Sequence, residues 1–238
     1  MNNELIICKN PRSPISEIFR TLRTNIQFMS QSKQSTSILI SSTNSEEGKS
    51  WITANLAIVI SQMGKRVIIL DGDMRKGRMN EIFDLRKSPG LSNYLSGVDD
   101  NDNGRVLTGL GDYIQHTEIQ NLDVMTSGNF PPNPSELLIL PQMVELLNDL
   151  KEKYDFILVD GTPCSLVTDS LILARDVDFV LLVAASKETK KKELQRIVES
   201  IKKVDGKILG IILNKVPMFS KKYEQSYYYG SNKKRRNK

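Results

Sequence analysis

Short apolar runs without polar alternation recur along this chain, and longer stretches with a helical repeat separate them. The runs lie at residues 37–41, 66–70, 122–126, 156–160, 179–184 and 208–213. They are rich in Ile, Val and Leu, as strands covered on both faces must be. Between them, residues 49–63 set Ile52, Leu56, Val59, Ile60 and Met63 on one helical face, and Gly64 is placed to end that helix. Residues 190–204 repeat the theme with Leu194, Ile197, Val198 and Ile201. Ser135, after Pro134, is expected to cap a helix, and Pro141 to start another at its first turn. Strand and helix in alternation predict an α/β fold: a mostly parallel sheet with helices on both faces.

Three regions fall outside this rhythm. Residues 17–29 form an amphipathic helix ahead of the first strand, followed by a polar linker at 30–35. The acidic stretch "DDNDNG" at 99–104 reads as a solvated loop. After Asn214 apolar periodicity stops, as expected of a flexible tail. The expected layout is an N-terminal extension with a helix (1–35), one nucleotide-binding domain (36–216) and a tail (217–238).

Charge sharpens this picture. The 238 residues carry a net +5, but residues 215–238 hold eight Lys or Arg against one acid, which leaves the rest slightly negative. A nearly neutral body with a basic tail is not the footprint of a nucleic-acid-binding domain. No apolar run approaches the roughly 20 residues that span a bilayer. The start "MNNELIICKNPRS" lacks the order of a signal peptide. A cytoplasmic protein is expected, with Cys8 and Cys164 reduced and unpaired.

Candidate chemistry begins at "SSTNSEEGKS", residues 41–50. The phosphate-loop pattern G-x-x-x-x-G-K-[ST] is met by Gly48, Lys49 and Ser50, while Thr43 stands where the first Gly belongs. The context is right: an apolar run precedes the loop and a helix follows it. Gly48 would let backbone approach phosphate, and the helix start would offer free N–H groups. Glu47, Gly48, Lys49, Ser50 and Trp51 form the expected nucleotide-binding stretch, with Trp51 half-buried in packing. Glu46 and Glu47 repel a triphosphate unless they point outward or help hold a metal.

Two further segments place acids at strand ends: Asp71 and Asp73 in "VIILDGDMRKG", and Asp160 in "FILVDGTP". Ligands of open parallel sheets bind at the carboxyl ends of the strands, so these acids should converge on the loop. Together with Gly-Lys-Ser they predict a P-loop NTPase-like site for ATP and Mg²⁺. Ser50 and Asp160 would hold the metal, with Asp73 behind it or also on it. Lys49 would reach the phosphates, and Asp71 is the candidate base for an attacking hydroxyl or its orienter. Arg75 and Lys76 would face the phosphates or an adjacent subunit, and the Asn214 amide could read the base. His116 and Cys164 lack partners for catalysis and are expected in a surface loop and in packing.

Tyr223, Tyr227, Tyr228 and Tyr229 crowd into seven positions of the tail with no apolar neighbours, which suits phosphate acceptors better than a core. The chain resembles the bacterial tyrosine kinases (BY-kinases), cytoplasmic enzymes of Gram-positive capsule and exopolysaccharide operons. The resemblance runs through "SEIFRTLRTNI", "EEGKS", "ILDGDMRKG", "LDVMTSGNFPPNPSELL", "FILVDGTP", "VTDSLILARDVD", "ILGIILNK" and the tyrosine tail. It implies catalysis by Lys49, Asp71, Asp73 and Asp160. It implies an oligomer interface at Glu17, Arg20 and Arg23, a homo-oligomeric ring, and tail phosphorylation between subunits. It further implies a transmembrane activator, a polysaccharide co-polymerase, which would hold the enzyme at the membrane. Its protein substrates would serve sugar-nucleotide or polymer assembly.

Ser45 and Glu46 depart from the Pro-Gly that relatives commonly carry, which leaves the loop's shape and a regulatory, inactive form open. An ATPase switch of the partition or division-site type uses the same loop and acids and stands as the alternative.

Overall fold

The computed structural model describes residues 4–30, 33–97 and 109–217. In chain order the elements are α1 (Ile6–Lys9), α2 (Pro14–Ser30), β1 (Thr36–Ser42), α3 (Lys49–Ser61), β2 (Val67–Asp71), α4 (Met79–Phe83), α5 (Leu91–Ser96), β3 (Gln115–His116), β4 (Leu122–Met125), α6 (Pro134–Ile139), α7 (Pro141–Lys153), β5 (Phe156–Pro163), α8 (Asp169–Asp176), β6 (Phe179–Ala185), α9 (Lys191–Lys203) and β7 (Ile208–Asn214). Seven strands form one sheet in the order β3-β4-β2-β5-β1-β6-β7. Every pairing is parallel except β3 with β4. This is the mostly parallel, helix-flanked sheet of a P-loop NTPase-like fold.

Alternate residues of the inner strands enter separate cores. Ile38, Ile40, Val67, Ile69 and Leu158 face α3, while Leu39, Ile68, Leu70, Ile157 and Val159 face α7 and α8. Each such side chain contributes roughly 1.5–3 kcal/mol when fully buried, so the apolar runs specify strands through their two faces.

Two expectations about helices need correction. α3 is not buried along one face: every residue from Ile52 to Ser61 is buried. The reason is a second cover, because Leu5, Ile7, Phe19 and Ile26 pack into the same core from the N-terminal extension. Ser135 is not a helix cap. Its helix begins at Pro134 with Asn133 before it, and the Ser135 hydroxyl donates to Asp169 Oδ1 at 2.6 Å.

His116 also lies outside a loop. It belongs to β3, where it pairs with Asp123 at 2.7 Å and remains exposed. Cys164 is buried among the side chains of the α7 and α8 face, with its sulfur 3.1 Å from the Ser41 hydroxyl. Burial pushes that thiol up to about 11, which makes it packing rather than a nucleophile. Residues 99–104 and the tyrosines of the tail lie outside the described residues.

Candidate nucleotide and phosphoryl-transfer site

β1, β2 and β5 are neighbours in the sheet, with β5 in the middle. Their carboxyl ends therefore meet. The loop from Thr43 to Gly48 leaves β1 and delivers the chain into α3 at Lys49. Gly48 has φ +93°, and a Cβ there would lie 2.2 Å from Asn214 Nδ2. Only glycine satisfies both conditions. Glu46 also adopts a left-handed backbone, at φ +62°. The departure from Pro-Gly thus keeps the backbone that glycine would take, with Glu46 itself exposed to solvent.

Lys49 Nζ lies 3.1 Å from Asp73 Oδ2 and 3.8 Å from Asp160 Oδ2, with Ser50 Oγ at 3.4 Å. Burial pulls the ammonium down, but Asp160 and Asp73 outweigh it and hold the lysine above its ordinary value. Asp71 and Asp160 face each other across β2 and β5, and both are fully buried. Burial and the neighbouring Asp160 push Asp71 up to about 8. Burial likewise raises Asp160 against the pull of Lys49. Backbone N–H groups orient these acids: Met79 donates to Asp71 Oδ2 at 3.1 Å, and Lys76 to Asp73 Oδ1 at 2.8 Å.

The residues fit a divalent cation. Asp160 Oδ2 is buried and accepts no hydrogen bond, and three carboxylates share one nearby ammonium. Among the described residues no three acidic, His or Cys side chains form a metal-binding group by themselves. A cation here would draw its remaining ligands from hydroxyl, water and phosphate oxygens, the set that magnesium prefers.

A cavity of about 420 Å³ opens over this cluster, lined by Lys49, Ser50, Trp51 and Asp73 together with Arg75 and Lys76. Glu47, Asp71, Asp160 and Asn214 are not on its wall. Arg75 is anchored to the buried Asp169 of α8, with Nε to Oδ2 at 3.0 Å. The Asn214 amide donates to the Glu47 carbonyl at 2.8 Å, which ties the end of β7 to the loop. Trp51 packs edge-on against Phe19 at 5.3 Å between ring centroids.

Of the helix trio, the structure brings together only Glu17 and Arg20, as an ion pair. Arg23 turns inward and donates to the Val59 carbonyl of α3 at 3.1 Å.

Thr53 and Asp169 also belong to the site, although the sequence pattern did not single them out. The Thr53 hydroxyl lies 3.3 Å from Asp160 Oδ1. One helical turn after Lys49, it could have been found by asking which residues share that face. Asp169 offered no such signal, because its partner Arg75 is 94 positions away.

Residues 38–228 match the family model of the CobQ/CobB/MinD/ParA nucleotide-binding domain. CapB of Staphylococcus aureus, described as a tyrosine-protein kinase, is 39% identical over 95% of this chain and 95% of its own. The tyrosine-protein kinase YwqD of Bacillus subtilis is 36% identical, covering 96% of this chain and 92% of its own. The solved kinase domain of the Escherichia coli tyrosine kinase Etk superposes with a TM-score of 0.83 at 32% identity, covering 89% of this chain and 80% of that one. The septum site-determining protein MinD of Pyrococcus horikoshii, solved with Mg-ADP, is more distant: TM-score 0.62 and 25% identity, covering 75% of this chain and 70% of that one.

Proposed function

Because the chain belongs to the bacterial tyrosine-protein kinases of the CobQ/CobB/MinD/ParA nucleotide-binding class, we propose that it transfers the γ-phosphoryl of ATP to tyrosines 223, 227, 228 and 229 of neighbouring copies. Control of capsule or exopolysaccharide assembly is the proposed outcome. The observation that carries this reading is the meeting of Lys49, Asp73 and Asp160 at the start of α3, beneath an open cavity.

In this mechanism Ser50, Asp73 and Asp160 hold magnesium, which neutralises charge on the phosphates when bound. Lys49 neutralises the transferring group. Asp71, raised by burial and Asp160, accepts or orients the proton of the tyrosine hydroxyl. The N–H groups at the start of α3 cradle the phosphates. Glu47, Gly48, Trp51 and Asn214 complete the nucleotide side, Glu47 through its backbone.

The extension 1–35, the kinase domain 36–216 and the tail 217–238 are the proposed working units. Among the described residues no helix is long and apolar enough to cross a membrane. A membrane activator would supply the anchor, and the paired Glu17 and Arg20 on α2 would face the next subunit of a ring. Incubation with γ-labelled ATP and Mg²⁺, with and without a Lys49→Met substitution, tests the reading. Label on tyrosine that vanishes in the variant supports it. Release of phosphate from an unlabelled protein supports the partition-type ATPase instead.

A further inference from the structure

Glu47 is a carboxylate inside the phosphate-binding loop, yet only 2% of it is exposed. Its Oε2 accepts the Asn44 N–H at 3.0 Å, and its Oε1 accepts the hydroxyl of Thr189. Thr189 lies in the turn between β6 and α9, where its oxygen also accepts the Ala185 N–H at 2.7 Å. A hydroxyl has one proton to give, and here it goes to Glu47. The same turn is fastened to β7, since the Ser186 N–H donates to the Asn214 carbonyl at 2.8 Å. Asn214 in turn holds the Glu47 carbonyl. Loop, turn and strand end thus form one hydrogen-bonded unit, built from residues far apart in sequence.

We propose that Thr189 is a positioning residue for nucleotide binding: through Glu47 it fixes the phosphate-binding loop and keeps a negative charge out of the phosphates' space. The proposal rests on the nucleotide-binding reading above. The physical need is plain. Glu46 and Glu47 stand beside a site for polyanions. Glu46 lines the cavity but is exposed, so solvent screens its charge, whereas the Glu47 carboxylate is buried and off the cavity wall. Without the Thr189 proton, the buried carboxylate loses a charge-assisted hydrogen bond and stays poorly solvated. To regain water the carboxylate must leave its buried position, and Gly48 and Lys49, which follow it in the chain, line the cavity where the phosphates bind.

The test is calorimetric titration of the full chain with ADP and Mg²⁺, with thermal melting of the nucleotide-free protein alongside. Thr189→Val should weaken ADP binding by about tenfold, raise KM for ATP by a similar factor, and leave kcat near wild type. Thr189→Ser, which keeps the hydroxyl, should bind like wild type. Adding Glu47→Gln to Thr189→Val should recover affinity, because the displaced group is then neutral. The proposal is overturned if Thr189→Val binds ADP like wild type. It is equally overturned if that variant lowers only the melting temperature, or if Glu47→Gln recovers nothing. Failure of the wild type itself to bind ADP would instead remove the nucleotide reading, and the proposal with it.

Discussion

Glu46 carries a side chain where the loop's backbone is left-handed, a conformation that costs a non-glycine residue roughly 1–2 kcal/mol. Glu46→Gly relieves that cost and removes a charge beside the phosphates. The expected result is a stability gain of about 0.5–1 kcal/mol, after allowing for glycine's greater freedom in the unfolded chain, together with tighter ADP binding. Urea unfolding and nucleotide titration check both. Asp178 illustrates a different balance. Burial alone would raise it, but Lys33, Ser37 and Lys151 bring it down to about 2. A carboxyl below its unfolded value of about 3.9 stabilises the fold at pH above that value, and the contribution is lost as pH falls through about 2. Asp178→Asn should therefore destabilise at pH 7 by about 1–3 kcal/mol, and the gap from wild type should close in acid. At this scale the acids of the site were legible: an Asp that ends an apolar run must emerge at the strand's carboxyl end. Thr189 and Asp178 were not, because their partners are 142 and 141 positions away and no local spacing records such a contact.

Five of the six apolar runs give strands at the element scale because burial on two faces leaves no alternation to misread, whereas the sixth, β7, lies at the sheet edge with Ile211 and Leu213 exposed. β3 escapes that logic: it has two residues, one of them exposed, and only its neighbour β4 defines it. α1, α4, α5 and α8 have at most eight residues, too few for a helical period to emerge. α2 was visible from its apolar stripe, but the division of labour along it was not. Arg20 pairs with Glu17 on the surface, whereas Arg23 bonds to α3 with its Nε buried and unpartnered. Arg20→Ala should shift the melting temperature little, since an exposed ion pair is worth about 0–1 kcal/mol. If α2 forms the subunit interface, sedimentation will show that variant dissociating. Arg23→Ala should lower the stability of the single subunit, read by thermal melting, whatever happens to assembly.

For the whole molecule, the strand order decides function more than any single motif does. β5 separates β1 from β2, so the loop after β1 meets Asp160 of β5 and Asp73 just beyond β2, both within 4 Å of one lysine. The N-terminal extension closes the outer side of α3, which makes it part of the loop helix's support rather than an appendage. The tail supplies tyrosines and positive charge. Each added phosphate would bring about −1.5 to −2 charges at pH 7 to a stretch with eight basic residues and one acid, so transfer to all four tyrosines would roughly cancel its charge. The most direct measurement mixes a Lys49→Met chain with an intact tail and an otherwise wild-type chain lacking residues 217–238, adds ATP and Mg²⁺, and maps phosphotyrosine by mass spectrometry. Phosphate on the 223–229 tyrosines of the Lys49→Met chain is the predicted result. Phosphate released to solution, with those tyrosines unmodified, would contradict the account.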